Sequence, residues 1–153
     1  MNTSIQSLIN QTPLYVEHLS ESSCGECINF YLDNGKLVTM YHSQDCCEDV
    51  HIDNISGNLD SLLFKPILQA DEKTSIKADE SSKDSFEDDF YDDESYTWTF
   101  YTLANVSSVV DIRWYGSSNG YYSESVDFSV EDYDLQSLPN YQYLKDTYPN
   151  LLV

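Results

Sequence analysis

The chain has 153 residues, of which 27 are acidic and 7 are Lys or Arg, so its formal net charge is −20. At this length roughly 70% of the unfolded chain's surface can be buried, which predicts one domain with a real core. The negative field repels phosphate backbones and so argues against direct DNA or RNA binding. It would attract a basic protein surface, although high charge also serves solubility alone.

The beginning of the chain lacks the basic and apolar regions of a secretory signal. No apolar run approaches the roughly 20 residues that a membrane span requires. These two observations predict a soluble, cytoplasmic protein that does not enter a membrane.

The first half of the chain predicts a hairpin and several shorter elements. The pair Asn34-Gly35 lies between two β-favouring runs and predicts a hairpin turn in which both residues have positive φ. The other elements predicted here are a short helix in residues 1–10, strands at 14–19, 27–32, 36–42 and 49–55, a helical turn near 58–64 and a short strand at 67–70.

Residues 71–94 differ in composition from the rest: eleven are acidic, three are Lys and four are Ser. Such a segment cannot bury enough apolar surface to offset its chain entropy. We therefore predict a mobile acidic insert at about residues 71–95 within a β-rich domain of residues 1–130.

The second half predicts strands at 96–103, 109–115 and 121–130, followed by a tyrosine-rich extension at 131–153 with one helical turn near 140–147. Alternation assigns Val110, Ile112 and Trp114 to the core face, and it also assigns Trp98 and Phe100 to a core face. Residues 117–120 end in Asn-Gly and predict a turn between the last two strands. The fold class that follows is α+β, mainly antiparallel, with six or seven strands in a meandering, curled sheet or half-barrel.

Cysteine and histidine side chains offer ligands for zinc, which favours four such groups. The spacing does not follow the usual paired knuckles, so buried or ordinary surface thiols are the competing interpretation and no cofactor is expected. Neighbouring cysteines are not expected to bond to each other, because on a strand they point to opposite faces. The weak candidate ligands are Cys24, Cys27, His42, Cys46, Cys47 and His51.

A nucleophilic pair of Cys46 or Cys47 with His42 or His51 is also conceivable. Acidic neighbours such as Glu48 would raise the pKa of those thiols, which opposes reactivity. We find no nucleophile, base and orienting group at credible spacing, so binding rather than turnover is expected.

Arg113 is the single arginine, and alternation places it on the face opposite Trp114. A structural ion pair with Asp111, Asp127 or an acid of residues 41–53 is one interpretation. The other is a small polar pocket between residues 41–53 and 113–125. Its candidate lining residues are Tyr41, His42, Asp45, Arg113, Tyr115, Asn119 and Tyr122.

Several blocks of sequence resemble an uncharacterised domain family found mostly in phage and prophage proteins. They are YHxxDCCExVxI at 41–52, TWTFY at 97–101 and IRWYGxSNGYYSExVDF at 112–128. The resemblance spans about residues 27–128 and implies a compact β-rich domain from a phage or mobile element, acting in the host cytoplasm. The acidic insert and the tail are unusual for the family, so it implies nothing about their role.

Charge and resemblance together predict a phage-derived acidic binding protein. It would inhibit or redirect a basic host protein, such as a nucleic-acid-binding defence component, by stoichiometric binding and nucleic-acid mimicry of the anti-CRISPR or anti-restriction type. The alternative function is a small-ligand or zinc-binding domain that uses the pocket described above. Tyr148 is a further tyrosine that could anchor a partner. The predicted partner-binding residues are Asp84, Glu87, Asp88, Asp89, Tyr91, Asp92, Asp93, Glu94, Tyr133, Tyr141 and Tyr143.

Overall fold

A computed structural model describes residues 3–23, 25–76 and 95–152 of the chain. The strands are β1 (Pro13–Leu19), β2 (Cys27–Leu32), β3 (Lys36–Tyr41), β4 (Asp49–Ser56), β5 (Gln69–Ile76), β6 (Ser95–Ala104), β7 (Val109–Ser118) and β8 (Asp127–Asp132). One α-helix, α1 (Tyr141–Thr147), follows β8. The 3-10 helices are Ile5–Leu8, Leu59–Leu62, Leu135–Ser137 and Pro149–Leu152. No helix in these three ranges is long and apolar enough to cross a membrane.

The strands form two antiparallel sheets of four strands each. Sheet A has the order β1-β2-β3-β8, and sheet B has the order β4-β7-β6-β5. This confirms the predicted α+β, mainly antiparallel class, and within the described residues the sheets do not close into a barrel. Sequential pairing holds for β1-β2-β3 and for β5-β6-β7. It is broken where β4 joins β7 and where β8 joins β3, so the predicted hairpin between the last two strands is wrong.

The hairpin of β2 and β3 forms as predicted, with Phe30 opposite Val38. Within its turn Gly35 has a φ of 81°, whereas Asn34 is not among the residues with positive φ. The Gly35 amide donates to the Leu32 carbonyl at 3.2 Å. The expectation of positive φ at both residues was wrong because a three-residue loop needs the left-handed conformation only at its last position.

The main core lies between the two sheets. Sheet A contributes buried side chains such as Phe30 and Met40, and sheet B contributes Tyr101 and Trp114. The Trp114 indole N–H lies 3.1 Å from the Met40 sulfur, so the two sheets meet directly. Burying one large apolar side chain stabilises the fold by about 1.5–3 kcal/mol, and the interleaved side chains from both sheets are what hold them together.

Strand β6 alternates in the phase opposite to the one predicted. Thr99, Tyr101 and Leu103 are buried, whereas Trp98 is half-buried and Phe100 is exposed on the outer face of sheet B. The period of two was right, but hydrophobicity selected the wrong face. Val110, Ile112 and Trp114 on β7 are buried as predicted.

The first part of the predicted acidic insert is a strand. Residues 71–76 belong to β5 and pair with β6, with Glu72 opposite Tyr101. Charged residues are compatible with β5 because it is an edge strand, where one side of the backbone is unpaired and charge discourages further pairing. Residues 77–94, which hold the rest of the predicted insert, lie outside the described residues.

The chain after β8 packs against the first strands through a second apolar cluster. Leu14, Leu138 and Leu144 are buried there. The Tyr133 hydroxyl donates to the Leu32 carbonyl at 2.6 Å, and the Asn140 amide donates to the Leu14 carbonyl at 3.0 Å. The tail is thus docked on the domain, and α1 lies where a helical turn was predicted.

Candidate functional site

The inner face of sheet B changes character along its length. Towards one end it presents Tyr101 and Leu103 to the core. Towards the other end the inward positions of β6 are the hydroxyl residues Ser95, Thr97 and Thr99. Strand alternation makes this continuous, because every second residue of β6 points to the same face. The inner face of sheet B therefore begins as part of the apolar core and ends as the wall of a polar pocket.

Glu124, in the segment between β7 and β8, lies on these hydroxyls. Its carboxylate accepts hydrogen bonds from Thr97 and Ser118, both at 2.6 Å, and from the hydroxyl of Ser95. Partial burial alone would raise the pKa of this carboxyl. The three hydroxyl donors outweigh that effect and lower the pKa, which favours the charged form.

Gly116 makes the position of Glu124 possible. This glycine occupies an inward position of β7, and a Cβ atom there would lie 2.9 Å from the Glu124 Cβ and 3.0 Å from its carbonyl oxygen. Contacts that short would force the crossing segment away from the sheet. The glycine thus leaves room for the Glu124 backbone to approach the sheet.

Glu72 of β5 lies on the opposite wall. It accepts a hydrogen bond from the Tyr101 hydroxyl at 2.6 Å. Burial, and to a smaller extent this bond to Glu72, raises the pKa of Tyr101 above its ordinary value, so the phenol stays protonated. Tyr101 thus marks the boundary between the apolar core and the pocket.

The pocket between these walls has a volume of about 370 Å³, which falls within the usual range for ligand sites. No Lys, Arg or His is among the described residues that line it. Thr99, on the inward face of β6, is only 4% exposed. The lining residues are Glu72, Thr74, Ser95, Thr97, Thr99, Tyr122, Ser123, Glu124, Ser125 and Val126.

A buried pair of His42 and Glu48 fixes one end of the segment that carries Glu124. His42 Nδ1 lies 2.7 Å from the carbonyl oxygen of Ser125, and Nε2 lies 2.8 Å from Oε2 of Glu48. Both partners are acceptors, so both bonds form at once only when both ring nitrogens carry hydrogen. The pair joins the loop between β3 and β4 to the residue that follows Glu124.

Glu48 also organises its own loop. Burial would raise the pKa of its carboxyl, but the amides of Cys46 and Asp45 and the His42 ring hold the pKa at about 2. The Asp45 and Cys46 amides donate to this carboxylate at 2.7 and 2.9 Å. Residues 41–53 and 113–125 therefore lie against each other: His42 is hydrogen-bonded to the Ser125 carbonyl of the second segment, and its ion pair with Glu48 lies within the first.

The cysteines depart from expectation. Cys46 and Cys47 are joined in a disulfide, although neighbouring cysteines were not expected to pair. That expectation assumed a strand, whereas both residues lie in the loop that Glu48 holds. The bond leaves neither thiol free to act as the nucleophile of a Cys/His pair.

Among the described residues, the proposed metal ligands form no metal-binding group. Cys27 is buried in β2, and Cys24 lies outside the described residues. His51 is near Asp49, with 3.0 Å between Nδ1 and Oδ1. Among residues 3–23, 25–76 and 95–152, no group of three or more His, Cys, Asp or Glu side chains could hold a metal ion.

The residues of the predicted ligand pocket are dispersed. Arg113 lies on the outer face of sheet B, where it pairs with Asp53 at 2.6 Å and lies over the Trp98 ring. This is the structural ion pair that was one of the two interpretations. Tyr115 shares that outer face, whereas Tyr122 lines the Glu124 pocket. Tyr41 and His42 line a separate cavity of about 510 Å³, Asp45 is exposed in its loop, and Asn119 caps the turn after β7.

Three of the eleven predicted partner-binding residues, Tyr133, Tyr141 and Tyr143, lie in the described part of the chain. The eight between 84 and 94 lie outside the described residues. Tyr133 and Tyr141 pack against the second apolar cluster, and Tyr148 stacks on Phe64 with ring centroids 4.5 Å apart. Tyr143 is 50% exposed.

Sequence reasoning missed Glu72, Glu124 and the hydroxyl floor. The signal that could have found them is the run Ser95-x-Thr97-x-Thr99, in which hydroxyl residues alternate at the period of a strand face. The large apolar side chains of Trp98 and Phe100 favoured the opposite face of β6 as the one that points inward.

Comparison with known proteins identifies a family to which the chain belongs. Neither the curated proteins nor the solved structures include a match to this chain. One family does match, over residues 6–128, which is most of the chain and includes Glu72, Glu124 and the hydroxyl floor. The chain therefore belongs to a family described as a domain of unknown function, DUF7448.

Proposed function

We propose that the protein acts by stoichiometric binding to a basic protein surface rather than by turnover. The observation that carries this proposal is the net charge of −20. Nine of the 27 acidic residues lie between residues 77 and 94, and the other 18 are spread over the described chain. A field of this size speeds encounter with a cationic partner and selects against anionic ones.

The exposed acids of the described chain lie largely on edge strands and in loops. Glu131 and Asp132 are on β8, and Asp49 and Asp53 are on β4. Both strands are sheet edges. Charges at an edge are accessible to a partner, which supports the proposal.

The same placement has a competing explanation, because charged edges also prevent unwanted strand pairing. The two explanations differ in what neutralisation does. If the charges only protect the edges, a variant with neutral residues there should aggregate but keep any specific partner. If the charges bind a partner, the same variant should lose that partner and stay monodisperse.

The proposal also names a class of partner, which is a host protein that binds nucleic acid. Carboxylates presented where phosphates would lie suit a host protein that binds nucleic acid, such as a defence or restriction component. The resemblance to phage and prophage domains is what suggests a defence target. The protein would then inhibit or redirect that target in the host cytoplasm.

The test begins with capture of a partner from host lysate at low and at high salt, followed by titration of the partner's activity. Inhibition should saturate near one equivalent and weaken steeply with salt. Replacing Asp84, Glu87, Asp88 and Asp89 by Asn or Gln should reduce the affinity.

The matched control removes the same number of charges from the described surface. It carries Glu131→Gln, Asp132→Asn, Asp134→Asn and Asp146→Asn, all of which are exposed. A larger loss in the first variant would locate binding in residues 84–94, and equal losses would indicate long-range charge alone. Complete inhibition far below one equivalent would contradict stoichiometric binding.

A further inference from the structure

We infer that the Cys46–Cys47 disulfide is a reversible redox site, which a dithiol without negative charge opens and which controls the order of the loop between β3 and β4. This inference goes beyond the proposed function and does not require the basic partner. Both cysteines are exposed to solvent, so a reductant can reach the bond. In a reducing compartment such as the proposed host cytoplasm, the disulfides that do form are usually transient, catalytic or redox-sensing.

The disulfide joins adjacent residues, so it crosslinks no two elements of the fold. The stabilisation that a disulfide gives by restricting the unfolded chain grows with the length of the loop that it closes. A bond between neighbours closes the shortest loop that a chain allows, and its contribution to global stability by this route is the smallest. Its effect is confined to the backbone around residues 46 and 47.

The backbone that the disulfide restrains is the same backbone that binds Glu48. The Cys46 amide donates to Oε1 of Glu48 at 2.9 Å, and the Asp45 amide donates to Oε2 at 2.7 Å. Gln44 Nε2 donates to the carbonyls of Cys46 and Glu48, at 3.3 and 2.7 Å. Opening the bond returns torsional freedom to residues 46 and 47, so ordering them costs more conformational entropy. Reduction therefore weakens the hydrogen bonds at Glu48.

Two contacts connect this loop to the chain that leads into β8. The His42 ring, which binds Glu48 at 2.8 Å, lies 2.7 Å from the Ser125 carbonyl oxygen. The Ser43 amide donates to Oδ2 of Asp127 at 2.9 Å. A loop that loses its order at Glu48 loosens both contacts. The redox state of the disulfide thus reaches the segment between β7 and β8.

The bond opens by thiol–disulfide exchange with a dithiol. One thiolate of the dithiol attacks a sulfur of the Cys46–Cys47 pair, the S–S bond breaks, and a mixed disulfide forms. The second thiolate of the dithiol then displaces the protein sulfur and closes the dithiol's own disulfide. Two electrons pass to the protein, and the two protons that the dithiol gives up are taken by Cys46 and Cys47. A monothiol is less effective, because the neighbouring protein thiol can displace it again.

Exposed carboxylates select among dithiols. Asp45 precedes the disulfide, Asp49 follows it after Glu48, and both aspartates are exposed. The whole chain adds a net charge of −20. A reductant that carries a carboxylate is repelled at low salt, so it encounters the disulfide more slowly than a neutral reductant does.

The first experiment adds dithiothreitol to the isotopically labelled full chain, purified without reductant, and follows it by amide NMR. Reduction should shift the resonances of Asp45, Cys46 and Ser125. It should also speed hydrogen exchange at the Asp45 and Cys46 amides by about tenfold or more, because their bonds to Glu48 weaken. Removing dithiothreitol and adding cystamine, a cationic disulfide, should restore the original spectrum. Alkylation followed by mass spectrometry should label Cys46 and Cys47 only after reduction.

Cys46→Ser/Cys47→Ser should give the loop spectrum of the reduced chain without any reductant, because serine forms no disulfide. Cys24→Ser is the matched control, since it alters a cysteine outside the pair and should leave the response to dithiothreitol intact. Unchanged circular dichroism verifies that both variants fold. Labelling of both cysteines before reduction, or a double variant with the loop spectrum of the oxidised chain, would overturn the inference.

The second experiment compares dihydrolipoamide, which is neutral, with dihydrolipoate, which presents the same dithiol and one carboxylate. At low salt dihydrolipoamide should open the bond several-fold faster, and the ratio of the two rates should approach unity at high salt. Asp45→Asn should lower the ratio at low salt. Glu131→Gln, exposed on β8 opposite Leu37 near the start of β3, should leave the ratio unchanged. Equal rates at low salt would overturn the assignment of a dithiol without negative charge.

Discussion

The two ends of the inner face of sheet B are built from the same strands, β6 and β7, but their side chains behave differently. At one end Tyr101, Leu103 and Ile112 are buried in the core. At the other end Thr97, Thr99 and Glu124 leave a pocket of about 370 Å³. The backbone alternation is identical at both ends. Side-chain chemistry alone therefore decides whether an inward face becomes core or site.

The largest expected effect is in the apolar core between the sheets. Trp114→Ala should lower the free energy of unfolding by about 3–5 kcal/mol, because it leaves a large cavity between the sheets. Urea denaturation followed by circular dichroism measures the change. Trp98→Ala on the outer face is the control and should cost about 1 kcal/mol, mainly its contact with Arg113. Similar losses in both variants would show that the assignment of faces is incorrect.

Glu124→Ala tests the polar end and should have a smaller effect. It removes three hydroxyl-to-carboxylate bonds from a partly exposed group, so we expect a loss of about 1–2 kcal/mol after allowance for solvent screening. The same denaturation experiment applies. Glu131→Ala, which is exposed on β8, should change stability by less than about 0.5 kcal/mol. A loss as large as that of Trp114→Ala would indicate that the polar end is also part of the core.

The pH dependence of stability should report on Glu48, which lies outside both ends of the inner face of sheet B. Its pKa is about 2 in the folded chain against an ordinary value of 4.5, so its contribution is fully present above pH 4.5 and is lost as pH falls towards 2. Glu48→Gln should flatten this acid limb when unfolding free energies are measured at several pH values. An unchanged slope between pH 4.5 and 2 would contradict the assigned carboxylate contacts.

The smallest expected effect is on the outer face of sheet B. Arg113 and Asp53 are both substantially exposed, so a double-mutant cycle with alanine at the two positions should give a coupling energy of about 0.2–1 kcal/mol. The coupling should fall further at high salt. A coupling above about 3 kcal/mol would mean that this pair is buried by something that covers the face.

The strands were predictable from local sequence signals, but which strands pair with each other was not. Asn34-Gly35 indicated a hairpin because few residue pairs suit such a turn, and β2 and β3 form it. A period of two tells which residues share a face but carries no information about the neighbouring strand. β4 was therefore expected beside β3, whereas it pairs with β7.

The site was hidden for a related physical reason. Alternation in β6 allows two phases, and hydrophobicity favoured the phase that buries Trp98 and Phe100. The structure adopts the other phase. At the beginning of β6 the inward side faces a polar pocket, which suits the hydroxyls of Thr97 and Thr99 better than aromatic rings. Contact between residues 41–53 and 113–125 could be expected from their density of polar groups. The buried position of His42, between Glu48 and the Ser125 carbonyl, could not.

The pairing of β3 with β8 has a consequence for how the protein is made. The Lys36–Asp132 contact between these strands spans 96 residues. At about 5–20 residues per second, a ribosome needs roughly 5–20 seconds to produce the strand that covers the β3 edge. During that interval β1, β2 and β3 can form a hairpin-built sheet in which the edge of β3 is still open, in addition to that of β1. The newborn chain therefore has a defined period of vulnerability to pairing with other chains, and its strong negative charge is already partly in place to keep neighbours apart.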